Sequence, residues 1–173
     1  MAQGYRRQWV ATRACAGLLA ALCATACFGA EWTLSGRVVA LKDGDSFVLL
    51  AGKTQHPVRI AGIDAPEWSQ RYSNASKRTL SGLVFNRSVV ARCYKRDRYG
   101  RNVCRVFGDN GQDIGLEMVR AGMAWWYRGY AREQTPEERG AYQGAEDAAR
   151  VTKRGLWTDA KPIPPWQYSR ASR

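Results

Sequence analysis

From Trp32 to Phe107 the apolar residues fall mostly at strand spacing. WTLSGRVVAL (32–41) leads through a D-G-D turn at 43–45 into SFVLLA (46–51). A turn over GKTQHP (52–57) separates that block from a third strand, VRIAGI (58–63). Over residues 69–86 the period changes, and Ala75, Leu80, Leu83 and Val84 suit one amphipathic helix. SVVARCYK (88–95) and NVCRVF (102–107) return to strand pattern. They flank Asp97-Arg98-Tyr99-Gly100, which predicts a tight hairpin with Cys93 opposite Cys104.

After the hairpin the pattern is helical. DIGLEMVRAG predicts a short helix capped by Asp113 and stopped at Gly122. Thr135-Pro136-Glu137-Glu138 combines a threonine cap, proline at the first helical position and a glutamate that closes a capping box. That helix is expected to run to about Lys153 and end at Gly155, packing through a small-residue face of Ala141, Ala145, Ala148 and Ala149. The tail, residues 161–173, is proline-rich and reads as extended, pinned by Trp157 and Trp166. Five strands, one helix between the third and fourth, and helices at the end describe an α+β fold. It is a five-stranded barrel of the OB type with three α-helices.

The first residues are set apart from this domain. Arg6, Arg7 and Arg13 precede an apolar run from Ala16 to Cys27, and Ala24-Thr25-Ala26 supplies a small-residue cleavage site. The run is too short to span a bilayer. Residues 1–26 are therefore read as a signal peptide, and 27–173 as one domain with its core at about 32–158. Cys27, after ATA, also fits loosely as a lipid-anchor cysteine of an outer-surface lipoprotein. Export to the periplasm or medium makes a Cys93–Cys104 disulfide compatible with the hairpin, as are two half-buried thiols.

Charge narrows the partners. Lys and Arg outnumber Asp and Glu by 27 to 15, a net +12; removing three arginines and no acids with the leader leaves +9. Such an excess favours polyanions, nucleic acid or anionic membrane. The chain has one histidine, His56, placed in a turn before Pro57, which excludes two-histidine ribonuclease chemistry. No C-x-x-C pair offers a structural zinc site, and no serine sits in a nucleophile elbow.

Carboxylates and arginines remain. Asp43 and Asp45 open one strand, and Asp64 and Glu67 follow the end of another. Brought together, three acids repel unless a cation lies among them, and oxygen donors suit Ca²⁺ or Mg²⁺. Ordinary turn chemistry accounts for the same residues separately. Arg59, inside a strand, and Arg101, just past the hairpin turn, could grip a phosphate beside such a cation.

DGDS, VRIAGIDAPE and DRYGR, in that order, resemble the thermonuclease family, the Ca²⁺-dependent nucleases related to micrococcal nuclease. AGMAWWYRGYA and RGLW extend the resemblance over about residues 36–157. It implies that Asp45, Asp64 and the backbone carbonyl of Ala65 bind calcium, with Asp43 just outside the ligands. Glu67 would act on the attacking water, and Arg59 and Arg101 on the phosphate. Arg98, Tyr99 and Tyr130 match nucleotide contacts; Arg128 stands at the second tyrosine position, for which Tyr127 can substitute. Trp68 could stack on a base or simply pack. Ala65 and Ser46 stand where the family usually has threonine.

The expected activity is an exported, sequence-non-specific nuclease acting on DNA and RNA, single strands preferred, and leaving 3′-phosphates. No stable protein partner is implied, and a monomer is expected. The rival reading is a non-catalytic nucleic-acid-binding OB module at the cell envelope.

Overall fold

The computed structural model describes Met1 and residues 31–171, with side chains described as far as Tyr168. The leader and Cys27 lie outside the described residues. Strands β1 (Trp32–Leu41), β2 (Ser46–Ala51), β3 (Thr54–Ile60), β5 (Ser88–Arg96) and β6 (Asn102–Phe107) close into one barrel in the order β1-β2-β3-β6-β5. Four pairings are antiparallel. The closing pair β3–β6 is parallel, with Arg59 opposite Val103 and Ile60 opposite Cys104. Val38, Phe47, Leu49, Val58, Ile60, Ala91 and Val106 are buried in the core, the inward half of each alternating strand. The expected α+β barrel is the observed one.

Two strand boundaries differ from the sequence expectation. Residues 54–57 are strand and not turn: the β2–β3 connection is only Gly52-Lys53, and half-buried His56 pairs with Leu49. Cross-strand pairing overrides the turn signal there, with Pro57 on the exposed side of β3. At its other end β3 stops at Ile60. Ile63–Asp64 is a separate strand, β4, which pairs with β7 (Trp125–Trp126) so that Asp64 lies opposite Trp125.

Helix α1 (Ser73–Val84) buries Ser76, Leu80 and Val84, spaced four apart along one stripe. α2 (Ile114–Arg120) is capped by the Asp113 side chain on the Leu116 N–H, and the chain leaves it at Gly122. α3 (Pro136–Val151) has both hydrogen bonds of the Thr135–Glu138 capping box. Its packing face keeps only half of the expected alanine stripe: Ala145 and Ala149 are buried, while Ala141 and Ala148 are exposed. Tyr142 and Glu146 are buried beside the two inward alanines. Glu146 is fully buried, and Arg128 and Arg150 each reach it at 2.9 Å, so its charge is paired. The tail is not extended throughout: Pro165–Ala171 is a fourth short helix, α4, begun by proline at a position that needs no N–H donor.

The hairpin register has a local cause. Arg96 pairs with Asn102 and Lys95 with Val103, then a bulge at Tyr94 shifts the ladder and sets Cys93 opposite Cys104. A disulfide joins the two.

Candidate active site

The turn before β2, the segment following β3 and the β5–β6 loop converge on one cleft of about 410 Å³. Its walls include Asp43, Asp45, Arg59, Asp64, Ala65, Glu67, Trp68, Tyr99 and Arg101. Residues dispersed over the sequence from 43 to 101 thus share one space.

Asp45 is almost wholly buried, and both its oxygens are engaged. Oδ1 accepts from Ser46 Oγ at 2.8 Å, and Oδ2 accepts the Ala65 N–H at 2.8 Å. The turn that presents it is closed by Asp43 Oδ1, which accepts the Asp45 N–H at 3.0 Å. Gly44 is required at its centre: a Cβ there would stand 1.9 Å from Ser76 Oγ on α1 and 2.9 Å from the Ala65 Cβ.

Arg59 lies between the two metal-candidate acids. Its Nη2 donates to Asp64 Oδ1 at 2.7 Å, and Nη1 contacts Asp45 Oδ2 without hydrogen-bond direction. Burial works against the guanidinium charge, but Asp45 and Asp64 outweigh it and hold Arg59 protonated. Burial pushes the Asp64 carboxyl up to about 7, with Asp45 and Glu67 adding to the rise against Arg59. Asp43 is pushed up to about 6 by burial and by its neighbour Asp45. For both acids burial is the main cause, and Arg59 works against it.

Arg101 is held from the hairpin. Asp97 Oδ2 accepts from Arg101 Nε at 2.7 Å, while Oδ1 accepts the N–H groups of Tyr99 and Arg101, each at 3.0 Å. Burial opposes the Asp97 charge, yet these hydrogen bonds prevail and hold its carboxyl below the usual range. Gly100, with φ of 78°, makes the reversal that brings Arg101 back against Asp97. Arg101 Nη1 then donates to Ser46 Oγ at 3.1 Å.

A second cleft of about 540 Å³ shares Arg59, Asp64, Tyr99 and Arg101 with the first. Arg98, Tyr127 and Tyr130 line it; the two tyrosine rings meet edge-on at 5.1 Å. Arg128 is drawn away to Glu146 and sits over the Trp126 ring at 4.5 Å, so Tyr127 and not Arg128 accompanies Tyr130. Trp68 is 87% exposed at the rim beside Glu67. Every residue proposed from the sequence for metal, phosphate or nucleotide lines one of these two clefts.

Four residues of the site were given no role from the sequence. Asp97 holds Arg101, Ser46 joins Arg101 to Asp45, and Tyr94 and Lys95 line the second cleft, both held by Glu133. Asp97 carried a signal, as the acid opening a D-x-x-G turn, and Ser46 another, as the last residue of the DGDS motif; Tyr94 and Lys95 carried none.

For a metal, the donors present are oxygens: the Asp45 and Asp64 carboxylates and backbone carbonyls. Among the described residues no group of three or more His, Cys, Asp or Glu side chains is arranged to hold a metal unaided. A cation here would rest on two carboxylates, a carbonyl and water, a set that fits a hard ion such as Ca²⁺.

Comparison with known proteins places the chain in a family. The family model described as staphylococcal nuclease homologue matches residues 57–159. An uncharacterised endonuclease of Haemophilus influenzae is 40% identical over 138 residues, 79% of this chain and 74% of that protein. A micrococcal nuclease of Shigella flexneri is 36% identical over 146 residues, 80% and 82% of the two chains. Protein ParB of Escherichia coli is 33% identical over 175 residues, 96% and 95% of the two.

Proposed function

The chain belongs to the staphylococcal nuclease homologue family and is a nuclease; from that premise we propose a Ca²⁺-dependent enzyme that cuts DNA and RNA without sequence preference. The observation that carries the proposal is the bridged set Asp64–Arg59–Asp45–Ser46–Arg101, two carboxylates and two guanidiniums on one cleft.

Asp45, Asp64 and the Ala65 carbonyl would hold calcium, which when bound supplies positive charge to a phosphate oxygen and to the transition state. Arg59 and Arg101 donate to the remaining phosphate oxygens as charge builds on phosphorus. Arg101 is preset by Asp97, and Arg59, held by Asp45 and Asp64, would exchange part of those contacts for the phosphate once calcium takes the carboxylates. Glu67 takes a proton from the attacking water. The new P–O bond forms in line with the bond to the 5′-oxygen, which breaks; the departing oxygen takes up a proton from solvent, leaving a 3′-phosphate and a 5′-hydroxyl. Tyr99, Tyr127 and Tyr130 offer stacking faces to unpaired bases, which favours single strands. The basic surface adds salt-sensitive attraction to the backbone. The N-terminal leader supports export, with release to the periplasm or medium, where calcium is plentiful.

Digestion of single-stranded DNA with Ca²⁺, and in parallel with chelator, tests the proposal. Cutting with calcium alone, with 3′-phosphate ends, is expected. Cutting that survives chelation would refute the metal dependence. Binding without cutting under both conditions would leave a nucleic-acid-binding module.

A further inference from the structure

The loop carrying Glu67 and Trp68 is tied to the chain's C-terminal segment. Gln70 is buried, and its Oε1 accepts the Glu67 N–H at 3.1 Å while its own N–H donates to the Glu67 carbonyl at 2.8 Å. Its other side-chain group, Nε2, donates to the backbone carbonyl of Ile163. Two further ties flank it: Ser69 Oγ meets Tyr168 Oη at 3.0 Å, and Arg71 pairs with Asp159. The same segment reaches the opposite wall, where Trp166 packs on Tyr127 with ring centroids 5.2 Å apart.

We infer that Gln70 is a positioning residue for Glu67, fixing the catalytic loop to the C-terminal segment through Ile163, and that this segment sets the spacing between Glu67 and the tyrosine wall. The chemistry requires it. A carboxylate acting on water must be held to within about an ångström, and a displacement of that size can cost roughly a hundred-fold in rate. Glu67 stands on an exposed loop just after buried Pro66, and both backbone groups of Glu67 are held by Gln70. Gln70 can tie that loop to a second segment because an amide side chain can accept from one backbone and donate to another at once. Alanine leaves both backbone groups without that partner; glutamate keeps the acceptor and turns the donor into a carboxylate facing a carbonyl.

This inference rests on the role proposed for Glu67, and the two are separable by a double-mutant cycle. The kcat and KM on single-stranded DNA with saturating Ca²⁺ would be measured for Gln70→Ala, Gln70→Glu, Glu67→Gln and the Q70A/E67Q pair. Hydrogen exchange of the peptide spanning residues 66–72 would be followed in parallel. Gln70→Ala should lower kcat about ten-fold or more with KM within two-fold, and speed exchange at the Glu67 amide. In the Glu67→Gln background it should lower kcat no further. Gln70→Glu should fall in the same direction, and it carries the test if the alanine variant does not fold. Wild-type kcat in both Gln70 variants, or an equal fall with and without the Glu67 carboxylate, would overturn the positioning role. Full activity in Glu67→Gln would overturn the role of Glu67 itself. Trp166→Ala should instead raise KM, by loosening Tyr127; an unchanged KM would overturn the assignment of the tyrosine wall to this segment.

Discussion

Arg101 and Asp45, 56 positions apart in the chain, are joined through a single hydroxyl. Ser46 Oγ accepts from Arg101 Nη1 at 3.1 Å and donates to Asp45 Oδ1 at 2.8 Å. One buried serine thus couples the arm proposed to bind phosphate to the arm proposed to bind calcium. Ser46→Ala should remove both bonds at a stability cost of about 1 kcal/mol. It should lower kcat/KM by roughly three- to ten-fold, in keeping with a neutral contact to a charged group. Ser46→Thr keeps the hydroxyl and should stay near wild type. Steady-state kinetics with thermal unfolding of both variants checks this.

Arg59 spans Asp45 and Asp64 with two different nitrogens. Lysine offers a point charge where a planar fork is needed, so Arg59→Lys should lower kcat by about a hundred-fold or more. The fold should survive, because the buried acids keep a cation. Arg59→Ala should in addition destabilise the metal-free protein, by about 3 kcal/mol. Calcium should recover part of that loss, as seen in melting temperature with and without the ion. Equal stability of the lysine and alanine variants would count against this account.

Asp97 gives the protein an acid-sensitive element outside the metal ligands. Its folded carboxyl titrates below its unfolded value of about 4, so below that pH the unfolded chain binds more protons. Its stabilising contribution is complete above pH ~4 and is lost as pH falls through the folded pKa. Asp97→Asn should therefore be less stable than wild type at neutral pH, with the gap closing in acid. It should also lower kcat at neutral pH by freeing Arg101. Denaturant unfolding between pH 2.5 and 7 measures the gap; a pH-independent difference would remove the electrostatic explanation.

Gly44 sits where a side chain has no room: a Cβ there would stand 1.9 Å from Ser76 Oγ. Gly44→Ala should push the Asp43–Asp45 turn off α1, costing about 1–3 kcal/mol and weakening calcium binding together. Calorimetric titration with Ca²⁺ alone, without substrate, tests this independently of turnover. Wild-type calcium affinity in a destabilised protein would show that the turn and the metal arm are not coupled.

The amino-acid order by itself determined the barrel and much of the site's cast. Period-two strands, the change of period at residue 69 and the Thr135–Glu138 box are local signals, and local signals are written into consecutive residues. The linked motifs around Asp45, Asp64 and Arg101 named the acids and arginines for the same reason. Tertiary structure alone decided how they act on one another. It chose Tyr127 over Arg128, because buried Glu146 required the arginine's charge. It extended β3 back over His56, because pairing with β2 outweighed a turn signal. It turned Ala141 and Ala148 of α3 outward and buried Tyr142 and Glu146 beside Ala145 and Ala149. And it set Gln70 between Glu67 and Ile163, a link across 93 positions that no local pattern could carry. Each of these depends on which partner is near in space, and burial makes an unpaired charge or amide too costly to leave, so the partner decides.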